Sequence, residues 1–114
     1  MYRYRVLVTR VVDGDTFDAK VDLGFHMTAA IRFRLRGIDT PETWRPKTEA
    51  ERKHGILAKN RVIDLIEGKE VTILTEKSGK YGRWIATVLL QDRVKTLSEL
   101  LVSEGFEKRA EYPL

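Results

Sequence analysis

The sequence predicts a mainly β, α+β fold in the order β-β-β-α-β-β-α. Three observations point to it. Apolar residues alternate with polar ones in the first third of the chain, one long stretch then switches to helical spacing, and alternation returns before a short capped segment. With 114 residues the chain is read as a single domain over 1–114, with no room for a second.

The opening strand places Tyr4, Val6 and Val8 on one face, with Arg5 and Leu7 between them. A Gly-Asp turn leads to a second strand, in which Phe17, Ala19, Val21 and Leu23 alternate with Thr16, Asp18, Lys20 and Asp22. Gly24 begins a turn. The third strand turns Ile31, Phe33 and Leu35 one way and Arg32, Arg34 and Arg36 the other. Three arginines on one strand face require solvent or an anion in front of them.

Asp39-Thr-Pro-Glu42 reads as a rigid turn, because Pro41 fixes its own φ and keeps Thr40 out of the helical region. After a basic loop from Thr43 to about Lys47, Thr48 or Glu49 opens a helix that runs to Glu67. Its apolar stripe is Ala58, Val62, Leu65 and Ile66, and Gly68 stands where a C-terminal cap belongs. Val71, Ile73 and Thr75 mark a fourth strand, and the turn 77–82 precedes a fifth, Trp84 to Leu90. Thr96 followed by Glu99 is a capping box for a short helix with Leu97, Leu100 and Leu101 inward and Gly105 at its end. Five short strands with a helix between the third and fourth fit a small OB-type five-stranded β-barrel with helices.

Composition narrows the function. There is no cysteine, which excludes disulfides and thiolate metal sites, and two histidines make a zinc centre improbable. The net charge of +4 suits a polyanionic partner, though only weakly. The opening MYRYRVLV interleaves charges with apolar residues and reads as a strand, not as the core of a signal peptide. No apolar run reaches membrane-spanning length, so no membrane partner is expected. The expected location is cytoplasmic, with secretion left open should a signal have been removed.

Three clusters carry chemistry. Asp13-Gly-Asp-Thr16, Asp39-Thr-Pro-Glu42 and Lys80-Tyr-Gly-Arg83 each pass alone as an ordinary polar turn. A given four-residue motif arises by chance in about one 100-residue chain per thousand. The first two in order, with Arg34 ahead of Asp39, are therefore hard to assign to turn chemistry.

On these residues the chain resembles the staphylococcal nuclease-like (thermonuclease) family, from about Val11 to Lys108. The carrying segments are VVDGDT (Val11–Thr16), FRLRGIDTPET (Phe33–Thr43), KYGR (Lys80–Arg83) and LLVSEG (Leu100–Gly105). The resemblance implies an OB-type barrel and Ca²⁺-dependent endonuclease activity on DNA and RNA that leaves 3′-phosphates. It places the metal-binding aspartates at Asp15 and Asp39, with the Thr40 carbonyl as a further ligand. The catalytic arginines fall on Arg34 and Arg83, the general base on Glu42, and contacts to nucleotide phosphate on Lys80 and Tyr81.

These residue types suit that chemistry. Ca²⁺ takes hard oxygen ligands, and two carboxylates with a carbonyl make an open site. Without a cation, two carboxylates about 5 Å apart repel by roughly 3 kcal/mol at an effective dielectric of 20. Arginine's planar fork fits the equatorial oxygens of a phosphate gaining charge. Lys77, Arg45, Lys47, Arg52 and Lys53 either hold flanking phosphates or form a solvated basic loop. Trp44 either stacks on a base or packs on the barrel, Trp84 is expected in the core, His54 on a helix surface and His26 in a hairpin turn.

The chain also departs from the family pattern. The hairpin between Asp15 and Arg34 is longer, with its tip at Gly24 to Ala30. Glu111 stands where a nucleotide-side tyrosine is usual, with Tyr112 an approximate substitute. The family's third, C-terminal helix is expected to be lacking, so either the uncovered surface is small or a second copy of the chain covers it in a homodimer. The competing function is a non-catalytic OB-type module that binds nucleic acid or protein. The intact set Asp15, Arg34, Asp39, Glu42 and Arg83 favours the enzyme.

Overall fold

A computed structural model describes residues 2–77, 83–91 and 94–113. The predicted order holds throughout, as β1 (Tyr2–Asp13), β2 (Thr16–Asp22), β3 (Thr28–Leu35), α1 (Glu49–Ile66), β4 (Glu70–Lys77), β5 (Trp84–Leu89) and α2 (Leu97–Ser103). The strands close into a barrel in the order β1-β2-β3-β5-β4, the OB-type architecture expected. All pairings are antiparallel except β3 with β5, which run parallel over Phe33–Leu35 against Trp84–Ala86.

Alternation decides which side chains fill the barrel. Val6, Val8, Phe17, Ala19, Val21, Phe33, Leu35, Ile73, Ala86 and Val88 all point inward and are buried. The Phe17 and Phe33 rings lie directly opposite in register, with centroids 5.6 Å apart. Each large side chain buried this fully contributes about 1.5–3 kcal/mol. Helix α1 seals the core with Ala58, Val62 and Ile66, and α2 with Leu97, Leu100 and Leu101. Leu65, expected in the same stripe, is only partly buried and packs at its edge. Leu23 departs further: β2 stops at Asp22, whose carboxylate accepts from the Gly24 amide at 2.8 Å, and Leu23 is left 44 % exposed in the turn.

β1 is long because it serves two neighbours. Its first half pairs with β4 and its second with β2, and the register slips between Val8 and Arg10 and again between Val11 and Asp13. Such bulges bend a strand around a barrel and strand backbone groups. The C-terminal turn of α1 takes those up. Gly68 donates to the Val8 carbonyl at 2.8 Å, and the Glu67 carboxylate accepts from the Val11 amide at 2.9 Å. Gly68 has φ +75, the left-handed value expected of the residue after a helix end.

The capping box of α2 is present in both directions, Glu99 amide to Thr96 hydroxyl at 3.2 Å and Thr96 amide to Glu99 carboxylate at 2.9 Å. Ser98 anchors this helix to the end of β3, donating to the Arg36 carbonyl at 2.6 Å. Among the described residues no helix is long and apolar enough to cross a membrane.

Candidate active site

The site lies at the end of the barrel where β1 turns into β2 and β3 runs out. Asp15 sits in the two-residue connection between β1 and β2. Its carbonyl accepts from the Leu35 amide at 2.8 Å, which fixes this turn to the end of β3. Gly14 is needed here for space, since a Cβ would stand 2.9 Å from the Thr40 side chain. The close approach lets the Asp15 carboxylate accept from the Thr40 amide at 3.0 Å and from the Thr16 hydroxyl at 3.0 Å.

Arg34 is opposite Thr16 on one side and Ile85 on the other, with its side chain outside the barrel because Phe33 and Leu35 point in. One guanidinium nitrogen, Nη2, meets both metal-ligand candidates: it hydrogen-bonds the Asp39 carboxylate and lies 3.5 Å from Asp15 Oδ2. Asp15 is sheltered, with a side chain 14 % exposed, whereas that of Asp39 is 73 % exposed. Glu42 is exposed, immediately after the buried Pro41. A cleft of roughly 500 Å³ is lined by Asp13, Asp15, Arg34, Glu42, Arg83 and Trp84, so the parallel β3–β5 seam brings Arg83 to the same opening as Arg34.

β3 ends at Leu35, so Arg32 and Arg34 lie on its outer face and Arg36, expected there as well, stands in the turn just past it. Each of the three has found an anion, and the anion is a carboxylate of the protein. Arg32 pairs with Asp18 at 2.7 Å, Arg34 with Asp15 and Asp39, and Arg36 with Glu76 at 2.9 Å. The Arg32 fork holds the Asp18 carboxyl below its usual range, chiefly through that hydrogen bond.

The donor set fits a hard cation. Two carboxylates converge on one Arg34 nitrogen, so a positive charge already stands between them, and the donors are oxygen with no sulfur or imidazole. The Thr40 hydroxyl beside them is buried with no hydrogen-bond partner among the described residues. Among those residues no three acidic or histidine side chains form a ready-made cage. Any cation there would therefore be held loosely and largely by water.

Several residues take places that local sequence did not reveal. Trp84, expected in the core, is 39 % exposed and lines the cleft, because β5 begins at this residue on the barrel rim. Trp44 does not pack on the barrel; it is 70 % exposed, with the Arg45 guanidinium 4.4 Å above its ring. His26, in the hairpin turn as expected, has φ +61. His54 is more than a surface residue. Its Nε2 donates to the Gly105 carbonyl at 2.8 Å and its Nδ1 accepts from the Tyr112 hydroxyl at 2.7 Å, the tautomer being set by the carbonyl, which can only accept. Tyr112 is thereby turned onto α1. Lys80 and Tyr81 lie outside the described residues.

Glu51, which composition and motifs left unmarked, is 1 % exposed. It accepts from the Lys47 amide at 2.8 Å and pairs with Lys108 at 3.4 Å. That amide, above all, holds its carboxyl below the ordinary value of 4.5; burial opposes the shift and the Lys108 charge assists it. A folded pKa below the unfolded one stabilises at neutral pH, and the gain is lost as pH falls from about 4.5 through the lowered value. Urea titrations should accordingly show wild type more stable than Glu51→Gln at pH 7, with the gap narrowing as pH falls below about 4.5. A gap of constant size down to the acid unfolding limit would remove Glu51 from the acid response.

A closed OB-type barrel whose rim gathers arginines and carboxylates in one cleft defines the class of protein. The chain belongs to the family of staphylococcal nuclease homologues, whose model matches residues 32–113. It is 35 % identical over 109 residues to a thermonuclease of Staphylococcus intermedius, covering 94 % of this chain and 60 % of that protein. It is 29 % identical over 109 residues to a micrococcal nuclease of Shigella flexneri, with coverages of 90 % and 56 %. An uncharacterized endonuclease of Escherichia coli O157:H7 is 29 % identical over 98 residues, with coverages of 86 % and 56 %. The chain thus spans little more than half the length of these relatives.

Proposed function

We propose that this chain hydrolyses phosphodiester bonds of DNA or RNA with the help of Ca²⁺, leaving 3′-phosphate ends. The observation that carries this reading is the convergence of Asp15, Arg34, Glu42 and Arg83 on one cleft, with Arg34 bridging Asp15 to Asp39. Family membership and the names of the relatives support it.

Asp15 and Asp39, with the Thr40 carbonyl, would hold the cation, which supplies charge neutralisation at a phosphate oxygen. The protein's own groups do the rest. Arg34 can turn its fork from the exposed Asp39 toward a phosphate in the cleft, and Arg83 meets the same phosphate from the β5 side. Water entering the cleft would reach phosphorus opposite the 5′-oxygen. Glu42, on the rim, takes the proton of that water or orients it. The new P–O bond forms, the bond to O5′ breaks, and the departing oxygen is protonated from solvent. Trp44 is 70 % exposed, and the ring face turned away from Arg45 is a surface on which a base can stack.

The direct test is cleavage of single-stranded and duplex DNA and of RNA in Ca²⁺, in Mg²⁺ and in chelator, for wild type, Glu42→Gln and Arg83→Ala. The expected outcome is Ca²⁺-dependent cutting that falls by about 10²-fold or more in both variants. A folded wild-type chain that binds nucleic acid in every condition and never cuts it establishes the binding module instead. Association of two copies is a separate proposal, motivated by Leu57 and Val102, which are 59 % and 43 % exposed. Sedimentation that gives clean monomer at high concentration removes it.

A further inference from the structure

The loop 39–47 carries Asp39, Thr40 and Glu42, and it is held at both ends by one side chain. At its far end the Lys47 amide donates to Glu51 Oε1 at 2.8 Å. At its near end the Asp39 carbonyl accepts from the Lys108 amide at 2.7 Å, and the Lys108 ammonium lies 3.4 Å from the other oxygen of the same carboxylate, Glu51 Oε2. The Glu51 side chain is 2 % exposed, so the acceptor of both bonds is shielded from bulk water.

The position of Glu51 would ordinarily be explained by helix capping. Thr48 is the N-cap of α1, its hydroxyl accepts from the Glu51 amide at 3.1 Å, and a glutamate in this place commonly returns to the N-cap's own amide. Here the carboxylate reaches one residue further back, to Lys47, and so leaves the helix for the loop. The remaining oxygen goes to a residue that makes no contribution to the cap at all. From the same face, one turn on, Gly55 gives room for the carbonyls of Pro41 and Glu42, midway along the loop.

We propose that Glu51, through Lys47 and Lys108, is a positioning residue that fixes the loop bearing Asp39 and Glu42 against the cleft. This rests on the nuclease reading for its effect on rate, though not for its effect on the loop. A carboxylate that ties both ends of a nine-residue segment limits where its middle can sit, and an error of about 1 Å in a catalytic group costs on the order of 10²-fold in rate. Substrate contacts made from β3 and β5 are untouched, so the larger effect falls on the rate and the smaller on binding.

Three variants of the chain test it. Glu51→Met keeps length and volume while removing both the acceptor and the charge. Glu51→Gln keeps the acceptor for the Lys47 amide, and Lys108→Met keeps the backbone bond to Asp39. Hydrogen exchange followed residue by residue is the first readout. In Glu51→Met the amides of Thr40 and Lys47 should exchange at least about 10-fold faster, with Val8, Ile73 and Val88 in the barrel unchanged. In Glu51→Gln most of that protection should return, and Lys108→Met should fall between. The second readout is DNA cleavage in Ca²⁺, where Glu51→Met should lower kcat by about 10²-fold with KM within about threefold, and Glu51→Gln should recover most of it. Loop amides that stay protected in Glu51→Met overturn the proposal, as does acceleration spread evenly over loop and barrel, the mark of a merely structural role. Should wild type cut nothing, the nuclease reading fails, and the exchange data still decide what Glu51 does.

Discussion

Replacing Arg34 with alanine is expected to slow DNA cleavage by at least about 10²-fold while shifting the melting temperature very little. The two effects separate because the guanidinium's neighbours differ in exposure. Asp39, 73 % exposed, can turn to water once its partner is gone, so the repulsion between it and Asp15 relaxes rather than accumulates. An exposed pair of this kind contributes about 1 kcal/mol or less to folding. The rate has no such escape, since charge developing on the phosphate inside the cleft loses a donor that water replaces poorly. Arg34→Lys should recover little of the loss, because an ammonium cannot present two parallel donors to one phosphate. Single-turnover cleavage measured beside a thermal melt checks both halves. A variant that cuts at the wild-type rate would mean that the phosphate is gripped elsewhere.

Gly55→Ala is expected to be the most damaging small substitution in α1. In an ordinary helix interior alanine is favoured over glycine by about 1 kcal/mol. At this position the added Cβ would stand 2.7 Å from the Pro41 carbonyl oxygen and 2.9 Å from that of Glu42, both of them backbone atoms that have no rotamer to change. Overpacking of this kind costs about 1–3 kcal/mol, enough to outweigh the helical gain. The helix and the loop must then move apart, carrying Asp39 and Glu42 with the loop. The expected result is a melting temperature lower by several degrees, on the order of 4 °C per kcal/mol, together with a fall in activity larger than the loss of folded protein explains. A stabilised, fully active Gly55→Ala protein would show that loop and helix separate without consequence.

Most of the fold was legible because it is written in periods of two and in local punctuation. Phe17, Ala19 and Val21 declare an inward face by alternation alone, and Thr96 with Glu99 announces a helix start that the structure reproduces bond for bond. Leu23 failed because alternation continues past the point where Asp22 caps the turn. The site was legible in its residue types and only partly in its arrangement. Glu51 looks like any polar residue of a helix's first turn until Lys108 arrives from the far end of the chain. His54 gives no local hint of Gly105 and Tyr112. The same holds for the arginines of β3: their common face follows from spacing, but their carboxylate partners follow from register, and Arg34 reaches Asp15 only because Thr16 is opposite it.

The seam between β3 and β5 has a consequence for how the protein comes into being. It joins only Phe33–Leu35 to Trp84–Ala86, it is the parallel pairing of the barrel, and a helix and a strand intervene between its halves. Loop-closure entropy places such a pairing late in folding, after the β1–β2–β3 meander has formed from near neighbours. Arg34 stands on one side of this seam and Arg83 on the other. A growing chain therefore acquires the first arginine early and in isolation, and the cleft arises only when the barrel shuts. On the nuclease reading proposed above, completion of the cleft and completion of the fold are one event.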